Sequence, residues 1–153
     1  MKPEQTPITG QEENSSQSPI QALNDFYDAF NSQDMEKMSK NWAQTHEIVM
    51  DNPVGGIKRG WPEIKAVYEK IFTGPAQVYV EFYDYTIHEG ENMFYATGRE
   101  RGDFRIGDKA IDLAIRTTRV YRLIEGKWRQ THHHGSMDKP SLLAEYQSAV
   151  TSK

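Results

Sequence analysis

The chain has 153 residues, 18 Lys and Arg against 22 Asp and Glu, a formal net charge of −4 and no cysteine. That length fits one domain. The missing thiols exclude disulfide frameworks, zinc ribbons and cysteine nucleophiles, and no run reaches the roughly 20 apolar residues of a membrane-spanning helix. The acidic balance argues against nucleic acid as a partner, and the N-terminus lacks the apolar core of a signal peptide, so a soluble cytoplasmic protein is expected.

Residues 1–18 contain only Met1 and Ile8 as apolar side chains, and this composition predicts a disordered tail ahead of a single domain over 19–150. Ser18-Pro19-Ile20-Gln21 reads as a helix start, with Ser as N-cap, Pro in the first turn and Gln closing a capping box. Ile20, Leu23, Tyr27 and Phe30 then fall on one face. Asn31-Ser32-Gln33 breaks this helix, and Asp34 caps a second one carrying Met35, Met38 and Trp42. A short strand is expected at 47–51, stopped by Asn52-Pro53-Val54-Gly55-Gly56. Trp61-Pro62 opens a third helix striped by Ile64, Val67, Tyr68 and Ile71, and Gly74-Pro75 ends it.

From Val78 the apolar period changes to two. Four long strands are expected, with turns at 89–92, at Ile106-Gly107-Asp108 and at Glu125-Gly126, the last strand covering 127–134. Asp138 and Pro140 introduce a short terminal helix with Leu142, Leu143 and Tyr146. Helices placed ahead of an antiparallel meander indicate an α+β fold, with the sheet curling around the helices. Charge follows this division: residues 19–98 hold 6 basic and 12 acidic side chains, whereas 99–129 hold 9 and 5.

The order of elements resembles the nuclear transport factor 2-like cone, a curved mixed sheet wrapped around three N-terminal helices. Ketosteroid isomerases, SnoaL-like polyketide cyclases and scytalone dehydratase share it. Asn31 and Asp34, followed by Asp51-Asn52-Pro53-Val54-Gly55, are similar to the helix break and first strand of ketosteroid isomerase. Thr118-Arg119-Val120-Tyr121-Arg122, Gly126-Lys127-Trp128 and His132-His133-His134-Gly135-Ser136 closely resemble the end of the calcium/calmodulin-dependent kinase association domain, an assembly module on the same fold. The isomerase chemistry does not carry over. Its carboxylate base matches Asn52, which cannot take up a proton, while the neighbouring Asp51 points to the other face of the strand. Its two oxyanion partners match Phe26 and Arg119.

Seven of the eight arginines lie between 99 and 129. Arg99 and Arg119 match two pocket arginines of the association domain, and a third matches Gly135. A guanidinium in a dry cavity suits a carboxylate or phosphate; the competing reading pairs these arginines with Glu100, Asp103 or Asp112 on the outer face. The histidines alternate across the sheet. A two-residue loop at Glu125-Gly126 sets His132 opposite Arg119, whereas a three-residue loop with a bulge at Gly126 sets Thr131 there and turns His133 to the same face. The isomerase-like alignment favours the latter.

Two histidines at i, i+2 are able to ligate zinc, but no third ligand is identifiable, so no metal is expected. They serve either as acid–base groups or as packed surface residues. Candidate catalytic residues are therefore His133, His132 and Asp51, and candidate ligand-binding residues are Arg119, Arg99, His133, His132, Asn52 and Tyr27. Two functions compete. One is a pocket protein for a polar or carboxylate-bearing small molecule, working as a lyase, isomerase or cyclase without a cofactor. The other is a non-catalytic assembly module. Both imply a homodimer paired through the outer sheet face.

Overall fold

The Ser18 side chain accepts a hydrogen bond from the Gln21 N–H and Pro19 fills the first turn, which together start α1 (Pro19–Asn31). Asp34 likewise accepts from the Lys37 N–H and starts α2 (Met35–Asn41). After them come β1 (Val49–Asp51), β2 (Ile57–Arg59), α3 (Gly60–Thr73), β3 (Gln77–Glu89), β4 (Met93–Ile106), β5 (Lys109–Ile124), β6 (Lys127–Met137) and α4 (Pro140–Thr151). This computed structural model describes residues 1–12 and 17–151. Residues 13–16, within the expected tail, lie outside the described residues.

One six-stranded sheet runs in the order β2-β1-β6-β5-β4-β3. The β1–β6 pairing is parallel and the others are antiparallel, so the sheet is mixed. Its inner face and the helices enclose a core built from Leu23, Phe26, Phe82, Phe94 and Tyr121, all essentially inaccessible. The α+β cone expected from the sequence is the observed fold. Curvature has a local source in β3, where the register shifts between Tyr83 and Thr86 and Asp84 adopts φ 51°. The opposing strand comes so close that a Cβ on Gly98 would lie 2.7 Å from that of Tyr85. Among the described residues, no helix is long and apolar enough to cross a membrane.

Two features depart from the sequence expectation. The segment 52–56 does not merely stop a strand: Asn52 Oδ1 accepts from the Val54 N–H, and the chain turns back to form β2 against β1. The N-terminal segment is also not free of structure. Glu4 and Ile8 form antiparallel bridges to Tyr85 and Phe82 along the outer edge of β3, and Ile8 is 3% exposed. Asn31 fastens this strap, its Nδ2 donating to the carbonyls of Thr9 (3.0 Å) and Val80 (2.8 Å) and its Oδ1 accepting from Val80 N–H. A polar composition misleads here, because edge-strand backbone groups plus one apolar anchor are enough to order the strap.

If the strap contributes to the domain, Ile8→Ala lowers the unfolding free energy by about 2 kcal/mol. A urea titration checks this, and an unchanged midpoint would show that the strap rests on the sheet without stabilising it.

Candidate functional site

The strand that carries the histidines is positioned by two devices. Ile124 pairs with Lys127 across Glu125 (φ 52°) and Gly126 (φ 79°), a two-residue turn of the kind that positive φ at both positions produces. An extra residue, Thr131, then sits between Gln130 (opposite Tyr121) and His132 (opposite Val120). This bulge shifts the register by one, so His133 lies directly opposite Arg119. His133 does share the Arg119 face, but the turn has two residues, and the shift arises within the strand rather than at Gly126.

A cavity of about 450 Å³ opens between this inner face and the helices. Phe30, Val67, Ile71, Phe104, Leu113 and Ile115 supply apolar wall, and Glu100, Arg119, His133 and Asn52 supply polar groups. Arg119 is 2% exposed, and each of its three guanidinium nitrogens donates a hydrogen bond. Nη2 reaches Glu100 Oε2 at 2.8 Å, Nη1 reaches Gln130 Oε1 at 2.8 Å and Nε reaches the Tyr27 hydroxyl at 3.3 Å. The guanidinium also lies over the Phe26 ring, 3.6 Å from its centroid. Tyr27 in turn donates to Glu100 Oε2 at 2.6 Å. The positive charge is therefore offset inside the fold, and the carboxylate of Glu100 uses one oxygen for both contacts. Its Oε1 accepts no hydrogen bond among the described residues.

His133 differs from these groups. It is 5% exposed, and neither ring nitrogen has a hydrogen-bond partner among the described residues. Burial, with Arg119 second, pushes its pKa well below the usual histidine value, so the ring is neutral. Burial raises Tyr68 to about 12 and Tyr27 well above its ordinary value, so both phenols keep their protons.

The remaining expected site residues divide between the two faces. Asn52 lines the cavity, and Tyr27 reaches the site through Glu100 and Arg119. Arg99 points outward, donating to Asp84 at 3.2 Å and Asp138 at 2.8 Å, and so is not a pocket residue. His132 and Asp51 also face outward, because the strand alternation that buries Met50 and His133 turns their neighbours away. Sequence reasoning missed Glu100, taking it for an outer-face partner. A signal was present: Phe94, Ala96, Glu100 and Phe104 share one parity along β4, and all four are buried.

Residues 20–139 match the SnoaL-like domain family. No curated protein matches the chain. Among solved structures, one assigned as a calcium/calmodulin-dependent protein kinase type II association domain from Thiobacillus denitrificans is 23% identical with a TM-score of 0.65. It covers 83% of this chain and 100% of its own. One assigned as a dehydratase of the NTF2-like family, from Streptomyces avermitilis, is 20% identical with a TM-score of 0.68, covering 77% and 91%. An NTF2-like protein of unknown function from Pseudomonas putida is 23% identical with a TM-score of 0.62, covering 76% and 81%. Identities this low establish a shared fold.

Removing one partner of a buried ion pair leaves the other uncompensated. Arg119→Met is therefore expected to cost about 3–5 kcal/mol in chemical denaturation, and the double variant Arg119→Met/Glu100→Gln to recover part of that loss. A double variant as unstable as the sum of the two single ones would show that the pair is not coupled.

Proposed function

The chain belongs to the SnoaL-like domain family, and from that premise we propose that it binds a small, mainly apolar molecule through a neutral oxygen of the ligand. On that molecule it carries out a cofactor-independent proton transfer of the isomerase, lyase or cyclase kind. One observation carries this reading: His133 is buried beside the cavity, and neither ring nitrogen has a partner among the described residues. Leaving such a group unsatisfied costs about 1–3 kcal/mol, which a ligand hydroxyl or carbonyl entering the cavity would return. The open oxygen of Glu100 supplies a second acceptor beside the same space. Together they provide a group to hold a ligand oxygen and a carboxylate to move a proton, without a metal or a nucleotide.

The carboxylate-bearing ligand suggested by the arginines loses its main support. Arg119 is already paired with Glu100, so an incoming anion would meet a nearly neutral set rather than a free cation. The apolar walls favour a ring or short hydrocarbon skeleton instead. The alternative assembly role rests on the association-domain resemblance, and it requires no particular chemistry from His133.

Thermal unfolding with added cyclohexanone or phenol, and benzoate as the anionic comparison, separates these readings. The neutral probes are expected to raise the melting temperature of wild type more than benzoate does, and the rise is expected to vanish in His133→Phe. Equal shifts in both proteins would remove His133 from the site. Pairing through the outer sheet face, where Tyr95 and Met93 are exposed, predicts a dimer in sedimentation at micromolar concentration. A monomer would count against it.

A further inference from the structure

The outer face of the β1–β6 seam brings Asp51 beside two histidines, His132 and His134, some 80 residues further along the chain. Val49 pairs with His132 and Asp51 with His134 in a parallel register. The alternation that sends Met50 and His133 inward sends Asp51, His132 and His134 outward together. One ligand atom from each lies within 4.8 Å of the others. His132 Nδ1 is 2.9 Å from the Val49 carbonyl oxygen. A carbonyl only accepts, so Nδ1 carries the proton and Nε2 presents its lone pair, 3.7 Å from Asp51 Oδ2. His134 Nδ1 lies 2.8 Å from that same oxygen.

We propose that Asp51, His132 and His134 bind a divalent transition-metal ion of the zinc class. Three considerations support it. Two imidazoles and a carboxylate suit zinc, cobalt or nickel, whereas magnesium and calcium favour oxygen ligands throughout. Ligand atoms held at 2.0–2.1 Å around a tetrahedral ion sit about 3.3 Å apart; the two separations to Asp51, 2.8 and 3.7 Å, bracket that value, and the two histidine nitrogens lie within 4.8 Å of each other. The backbone carbonyl on His132 Nδ1 is the support that a metal-bound histidine uses to fix its tautomer and ring orientation.

Binding replaces the His134–Asp51 hydrogen bond with two metal bonds, the Nδ1 proton moving to Nε2 of the same ring. Three protein ligands leave a position for water. The side chains of Asp51, His132 and His134 are 28%, 34% and 58% exposed, so an ion reaches the site from solvent. The ion would tie β1 to β6 where only three residue pairs join them.

The test uses untagged, metal-stripped protein titrated with Zn²⁺ against a chromophoric chelator, and with Co²⁺ followed by visible absorption. One ion per chain is expected, with affinity falling more than about tenfold in His132→Ala, His134→Ala and Asp51→Ala and unchanged in His46→Ala. No saturable Zn²⁺ binding, or binding that survives His132→Ala/His134→Ala, would overturn the proposal.

Discussion

The buried ion pair between Arg119 and Glu100 is the constraint around which the interior is arranged. A guanidinium that is 2% exposed has to find its partners inside the fold, and here they come from several elements. Glu100 lies on β4, Tyr27 and Phe26 on α1, and Gln130 on β6. Gln130 passes the network to Asn41 at the end of α2, which also accepts from Tyr121 and donates to the Ala22 carbonyl. Sheet and helices thus share one polar joint inside a mainly apolar core. Such pairs add little net stability compared with well-packed hydrocarbon, but they penalise any packing that separates their members. They also explain why His133 stands out: every nitrogen of the Arg119 guanidinium opposite it already donates to another partner.

The architecture was largely readable, because capping side chains and the change of apolar period mark helices and strands locally. Ser18, Asp34 and the alternation from Val78 onward needed no tertiary information. What failed was non-local. The short strand β2 exists only because β1 is there to pair with it, and the strap exists only because β3 offers an unpaired edge. Arg119 was singled out for an anion from outside, but its anion is Glu100, four residues before Phe104 on the same inward parity. Asp51 was judged from its neighbour Asn52, and its placement beside His134 depends on a parallel pairing across 83 residues. No local pattern announces such a pairing.

Edge management is a second theme. β3 ends the sheet, and its outer backbone groups would invite another strand. The strap occupies that edge at Phe82 and Tyr85, while Asp84, at positive φ between them, breaks the ladder's regularity. At the other end β2 is three residues long and followed at once by α3, which limits the length of exposed ladder. Both edges are thus blunted by segments that look featureless as sequence.

The extra residue at Thr131 has a consequence of a different kind. Three identical side chains in a row make β6 indifferent to which histidine occupies a given place, but not to the count on each side. With Thr131 held out of the ladder, one imidazole goes to the interior and two to the exterior. Were Thr131 drawn into regular pairing, the tally would invert, with His132 and His134 inside and His133 outside. A single backbone irregularity therefore sets the stoichiometry of imidazoles between two compartments of one sheet, with no change in composition.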